Sequence, residues 1–228
     1  MKTSLLAGVA AAALILAAPQ ASAAGYKPYV SVFGGGAWLT QNPNIYSSDL
    51  PYWYNTELKI NNPGYIIGGA VGVDWGNQLR TEIELSHAAW SSDKSVISGE
   101  GFDPYTTTDG SSVNATYLLG NVWYDLAQGS KVAPYVGGGL GIGWAHINSS
   151  DIDSQFSASG LAFQVGAGVR FHLSDRALID VGYRFKDIVG LNYTDSDGGT
   201  EKSMGNGETI VEKSLAAHTF QIGLTYEF

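Results

Sequence analysis

The sequence predicts an all-β protein: a closed, eight-stranded, antiparallel up-and-down β-barrel that crosses a membrane, with four long extracellular loops and short periplasmic turns. Three observations predict it. Apolar residues alternate with polar or small residues in eight stretches, long and short connections alternate between the stretches, and aromatic residues concentrate near the stretch ends. A transmembrane strand has about ten residues, with one face in lipid and the other toward the barrel interior.

The first 23 residues are predicted to be a secretory signal peptide. Lys2 provides a positive start, residues 5–18 are almost entirely apolar, and Ala21-Ser22-Ala23 is a small-x-small cleavage signal. The apolar run is too short for a membrane-spanning helix. The barrel domain is therefore expected to occupy residues 24–228.

The clearest alternation lies in residues 161–186, which predict a hairpin of two strands joined at residues 174–176. One face is apolar and the other carries charge, as expected for lipid on one side and a lumen on the other. The outward set is Leu161, Phe163, Val165, Ala167, Val169, Phe171, Leu173, Ile179, Val181, Tyr183 and Phe185.

The remaining strands are predicted at residues 29–39, 65–75, 79–90, 113–126, 134–146 and 214–228. Either face of the first and fourth strands could point outward. Long loops are predicted at residues 40–64, 91–112, 147–160 and 187–213. Long loops at one rim and short turns at the other are typical of outer-membrane barrels, whose short turns are periplasmic.

A two-layer β-sandwich is the alternative architecture, because it also produces alternating faces. Strand length, the regular order of loops and the aromatic residues near strand ends favour the barrel. These aromatics are Tyr65, Trp75, Trp123, Tyr124, Trp144, Tyr226 and Phe228.

Composition narrows the classes of function. The formal net charge of −9 argues against nucleic-acid binding, which requires a basic face. The chain has no cysteine, so a secreted protein of this sequence must be stabilised without disulfides. Closing a hydrogen-bonded barrel in lipid provides such stabilisation, since no backbone group remains unpaired.

The fifth predicted strand, Pro134-Tyr135-Val136-Gly137-Gly138-Gly139-Leu140-Gly141-Ile142-Gly143, resembles that of small porin-like surface antigens of the outer-membrane β-barrel family. The family includes the opacity proteins and the transmembrane domain of outer membrane protein A. The segments 121–125 and 180–185 are similar to neighbouring strands. The resemblance implies a location in the cell outer membrane, contact with its lipids and lipopolysaccharide, and a C-terminal signal at Phe228 that the barrel-assembly machinery reads.

Charged residues on the inward faces form the main candidate site. An eight-stranded barrel has an interior just wide enough for side chains to fill it. The charges are expected either to pair in a network that plugs the lumen or to line a narrow, gated ion path. They are Arg80, Glu82, Glu84, Arg170, Asp180, Arg184 and Lys186.

The loops carry two weaker candidates. Tyr52, Trp53 and Tyr54 could contact a protein or glycan on a host or cell surface, or fold onto the barrel mouth. Acidic loop residues could form a solvated rim or capture divalent cations beside lipopolysaccharide. Asp195 and Asp197 have a calcium-like spacing but lack the rest of an EF-hand loop, so no metal or cofactor is predicted.

Three functions follow from this sequence. The favoured one is a structural outer-membrane protein that presents surface loops, and the alternative is a small porin with a narrow conducting lumen. A lipid hydrolase would need a Ser/His pair. His146 lies near Ser149 and Ser150, but no lipase motif surrounds them, so no enzymatic activity is predicted.

Overall fold

The computed structural model describes residues 25–49, 52–108, 110–127, 130–149, 154–195, 209–210 and 214–228. None of them forms a helix long and apolar enough to cross a membrane. They form eleven strands: β1 (Lys27–Leu39), β2 (Asn44–Asp49), β3 (Tyr52–Asp74), β4 (Leu79–Gly99), β5 (Phe102–Thr107), β6 (Ser111–Asp125), β7 (Val132–Ser149), β8 (Ser154–His172), β9 (Ala177–Asp195), β10 (Thr209–Ile210) and β11 (Ser214–Glu227).

Eight long strands close into a barrel. Its order is β1-β3-β4-β6-β7-β8-β9-β11, and every neighbouring pair is antiparallel. β1 pairs with β11 on one side and with β3 on the other, so the first and last strands close the ring. The predicted eight-stranded barrel is confirmed, and the strands of the described ranges form one closed sheet instead of the two stacked sheets of a sandwich.

The two faces of the strands meet different surroundings. Val165 and Leu224, in the predicted outward set, are 54% and 58% exposed, whereas Arg170 and Arg184 are 3% and 7% exposed. The apolar face therefore surrounds the barrel and the charged face lines its interior.

The structure also determines the facing of β1 and β6, which the alternation left open. Tyr29 of β1 and Tyr117 of β6 are buried in the interior, while Val32 and Leu118 are exposed on the outer surface. The two strands therefore follow the same rule as their neighbours.

The strands extend beyond the predicted membrane-spanning segments. β3 begins 13 residues earlier than the predicted start at residue 65, and β4 continues to Gly99 instead of ending at residue 90. Much of the predicted long loops is therefore sheet. Backbone pairing continues above the membrane, but outward side chains there no longer need to be apolar, so the alternation disappears while the strand persists.

Three short strands widen this extracellular sheet. β2 pairs with β3, β10 pairs with β2, and β5 pairs with β4. Irregular pairing between Asn61 and Tyr65 separates the extension from the membrane-spanning part of β3.

A hydrophobic core fills the extracellular half of the barrel interior. We call it the apolar plug; it is built from inward side chains of the barrel strands together with Ile45 of β2. Its large side chains include Leu58, Trp90, Tyr117, Leu119, Ile147, Phe156 and Ile188. The interior is thus polar toward the periplasm and apolar toward the exterior, a division that the sequence did not predict.

Candidate functional site

The periplasmic end of the lumen is closed by a chain of ion pairs. Arg80 binds Asp125 through two hydrogen bonds, Nε to Oδ2 and Nη2 to Oδ1, both 2.9 Å long. Arg170 lies 3.3 Å from Asp125 and 3.0 Å from Glu227, which also accepts a 3.0 Å bond from Lys27. The bidentate contact between Arg80 and Asp125 fixes the relative orientation of the two side chains and is stronger than a hydrogen bond between neutral groups.

Glu84 is the centre of a second network, closer to the middle of the membrane. Its side chain is completely buried. Lys186 Nζ lies 2.6 Å from Oε1, and Arg184 Nη1 lies 2.9 Å from Oε2. Three neutral side chains also donate hydrogen bonds to this carboxylate: Ser86, Asn121 and Gln164. Each oxygen therefore has a cation and at least one neutral donor.

Two inward carboxylates are held by neutral donors. Glu82 accepts hydrogen bonds from Tyr29 Oη at 2.6 Å, Trp123 Nε1 at 2.8 Å and Asn121 Nδ2 at 3.0 Å. Asp180 accepts one from Tyr135 Oη at 2.9 Å. Hydrogen bonds to a carboxylate stabilise its charged form, so a direct cation is not required.

Trp123 is a correction to the sequence interpretation, which grouped it with aromatics at the lipid interface. Its ring lies inside the barrel, 4.8 Å from the Arg184 guanidinium carbon and 5.3 Å from the Tyr135 ring. The ring provides a cation–π contact to Arg184, and its Nε1 donates the hydrogen bond to Glu82 described above.

Inward glycines provide space for these aromatic rings. A Cβ atom at Gly137 would lie 2.6 Å from the Trp123 ring, and one at Gly68 would lie 2.6 Å from the Phe33 ring. Real Cβ atoms do not approach so closely, and an eight-stranded barrel has no spare room. Gly166 instead adjoins a long charged side chain, because a Cβ atom there would lie 2.9 Å from Arg184 Cγ.

The seven predicted lumen charges all project into the barrel. The sequence interpretation missed their partners Asp125 and Glu227. Asp125 lies at the end of a strand whose facing the alternation left open, and Glu227 lies at the end of the last predicted strand. Ion pairs between residues 45 to 102 positions apart cannot be identified from strand alternation.

The predicted interfacial aromatics lie on the outer surface at the two ends of the lipid-facing belt. Tyr65, Trp75, Tyr226 and Phe228 are exposed, and Trp144 is half-buried and faces outward. Trp75 Nε1 donates to Thr81 Oγ1 at 3.0 Å, and the Tyr226 and Phe228 rings are 5.3 Å apart. Their polar edges and apolar rings suit the boundary between lipid and water.

Other candidates lie partly outside the described residues. Tyr52, Trp53 and Tyr54 are the first residues of β3, and Asp195 is the last residue of β9. The structure describes the backbone of these four residues but not their side chains. Asp197 and Ser150 are outside the described ranges. No cluster of His, Asp and Glu suited to a metal occurs in the described part of the chain. The absence of enzymatic activity stays a prediction.

Comparisons with known proteins agree with this architecture. Residues 7–228 match the family described as "Outer membrane protein beta-barrel domain". An uncharacterized protein of Brucella abortus (strain 2308) is 26% identical over 196 residues, covering 72% of this chain and 69% of the relative.

A solved structure has the same fold, and a second is reported for comparison. The outer membrane protein OprG from Pseudomonas aeruginosa has a TM-score of 0.51 at 14% identity, covering 89% of this chain and 96% of that one. Neisserial surface protein A has a TM-score of 0.49 at 16% identity, covering 90% and 97%. With the family match spanning nearly the whole sequence, the chain belongs to the outer membrane protein beta-barrel family and is located in the cell outer membrane.

Proposed function

We propose that this protein is a structural and surface-presenting component of the outer membrane whose barrel does not conduct ions. The observation that carries the proposal is that the described lumen is blocked at two successive levels. One level is polar and the other is apolar, so no single rearrangement opens both.

The polar level is filled by paired side chains. The cavity between Tyr29, Arg80, Glu82, Asp180 and Arg184 has a volume of only about 20 Å³. This is room for a single water molecule. An ion entering from the periplasm would have to displace charges that already neutralise one another.

The apolar plug forms the second level. Trp90, Leu58 and Phe156 are each no more than 2% exposed, and Trp90 Nε1 donates to the Ala37 carbonyl oxygen at 2.9 Å. A close-packed, mainly apolar interior offers few groups that could replace the water around an ion, so crossing it is costly. The plug also joins the membrane-spanning barrel to the extracellular sheet, which supports a structural role.

The extracellular sheet would be the presenting surface. Its edge strand β5 exposes Phe102 and Tyr105, whose rings are 5.8 Å apart, and Glu100 and Asp103 lie beside them. Exposed aromatics with acidic neighbours suit contact with a surface ligand. We further propose contact with lipopolysaccharide around the outer rim and recognition of Phe228 by the barrel-assembly machinery.

A narrow porin is the second candidate, and one observation favours it. Arg184 Nε and Gln221 Oε1 are buried without a hydrogen-bond partner among the described residues. Unsatisfied groups make the polar level easier to rearrange than a fully bonded network. Conduction would still require the apolar plug to open as well.

Recording from single proteins in planar lipid bilayers tests the proposal. We expect no conductance from wild type, from Glu84→Ala, which opens only the polar level, or from Trp90→Ala, which opens only the plug. Heat-modifiable migration would verify that each variant is folded. Steady wild-type conductance that changes in Glu84→Ala or Arg184→Ala would refute the structural proposal and establish the porin.

A further inference from the structure

A pocket at the periplasmic mouth of the barrel takes no part in the proposed function. Its volume is about 630 Å³. Small-molecule sites typically occupy about 300–1,000 Å³. The charged side chains around it come from both strand ends and turns, with one histidine beside them: Lys27, Asp74, Lys131, Asp175, Glu227 and His172.

The inner end of the pocket is closed. Glu227 lies there and binds Lys27 and Arg170, each at 3.0 Å, and Arg170 continues to Asp125 at 3.3 Å. A molecule that enters from the periplasm therefore meets paired charges and stops. This geometry is that of a binding site with one entrance, not of a passage.

Three groups in the pocket have unused binding capacity. The side chains of Lys131 and Asp175 line it, and neither forms a hydrogen bond or ion pair within the described part of the chain. His172 Nδ1 is buried without a hydrogen-bond partner there. The His172 amide donates to the Lys131 carbonyl oxygen at 3.0 Å, which holds the two residues together.

We propose that this pocket binds a small zwitterion, either an amino acid or a short peptide with free termini. The ligand carboxylate would bind Lys131 and its ammonium group would bind Asp175, with His172 hydrogen-bonded to one of them. A ligand carrying only negative charge would be repelled by Asp74, Asp175 and Glu227, and one carrying only positive charge would be repelled by Lys27 and Lys131. Opposite charges on one small molecule satisfy both sides.

Two-dimensional NMR of the full barrel in lipid nanodiscs, titrated with glycylglycine, tests the proposal. The matched probes are the N-acetylated, the C-amidated and the doubly blocked dipeptide. We expect saturable shifts at His172 and Lys131 with the unblocked peptide. Each singly blocked form should bind at least about threefold more weakly, the effect of losing one exposed ion pair.

Substitutions at Lys131 and Asp175 test which residue binds each end of the ligand. Lys131→Gln should lower the affinity for glycylglycine to that of the C-amidated peptide, and Asp175→Asn should lower it to that of the N-acetylated peptide. Lys94→Gln and Asp93→Asn, which change charges at the opposite end of the barrel, should leave binding unchanged. Equal affinity for all four peptides, or no saturable shift up to the solubility limit, would overturn the proposal without affecting the conductance result.

Discussion

Replacing Glu84 with glutamine tests whether one carboxylate holds the lumen network together. Glutamine has almost the same shape, but it removes the negative charge that faces Lys186 at 2.6 Å and Arg184 at 2.9 Å. Both cations are less than a tenth exposed, so water cannot replace the lost partner. Removing one member of a buried ion pair typically costs about 3–5 kcal/mol.

A loss of that size would reduce the folding equilibrium constant by about two to three and a half orders of magnitude. The assay is urea unfolding in lipid vesicles, followed by tryptophan fluorescence and by heat-modifiable migration. Glu57→Gln is the matched control, because Glu57 forms an ion pair of the same length with Lys59 at a partly exposed site. Its removal should cost about 0.2–1 kcal/mol.

The double-mutant cycle with Lys186→Met separates the ion pair from the packing. Glu84→Gln and Lys186→Met should be non-additive, with a coupling energy of about 0.5–3 kcal/mol. If Glu84→Gln destabilises the barrel no more than Glu57→Gln does, the carboxylate is not the centre of the network and the reasoning is refuted.

Three further predictions concern other parts of the chain. Gly141→Ala should prevent or severely impair folding, because its Cβ would overlap a backbone carbonyl of β6, whereas Gly120→Ala, with 3.8 Å of clearance, should fold normally; refolding yields would compare them. Trp90→Ala should lower the free energy of unfolding by about 3–5 kcal/mol, and Trp75→Ala on the outer surface by clearly less, as measured in urea. Hydrogen bonding to Lys59 lowers the pKa of Glu57 from its ordinary value of 4.5. Its small stabilisation should therefore be present above pH 4.5 and be lost as the pH falls through the lowered pKa, and Glu57→Gln should abolish that pH dependence.

Lipid contact explains which parts of the fold the sequence reveals. From Leu161 to Leu173, and again from Ile179 to Phe185, every second residue is apolar because it faces hydrocarbon, so the two strands and their facing can be predicted. Residues 52–64 are also part of a strand, but they lie outside the lipid, so their outward side chains do not have to be apolar. Backbone hydrogen bonds between strands do not require any periodic pattern of side chains, so this part of the strand could not be predicted.

The sequence predicted which charged residues line the lumen, but it did not predict which of them form ion pairs with one another. Charges such as Arg80 and Glu84 are excluded from the lipid face, which places them inside. Their partners depend on which residues reach the same level from opposite strands. The Glu84–Lys186 pair joins positions 102 residues apart, and Asp125 enters the network only because β6 places it beside Arg80.

The sizes of inward residues on neighbouring strands indicate which face of a strand points inward, even where the polar–apolar pattern does not. In β6 both faces contain apolar residues, because its inner face meets the apolar plug and its outer face meets lipid, so hydropathy cannot distinguish them. Its partner β7 resolves the ambiguity: the inward glycines of β7 lie directly opposite large inward residues of β6. The pairs are Gly137 with Trp123, Gly139 with Asn121, Gly141 with Leu119 and Gly143 with Tyr117. In a lumen with no spare room, a strand with a glycine at every second position requires a bulky neighbour on the same face. That requirement places Trp123 inside the barrel, where hydropathy alone had placed it at the lipid interface.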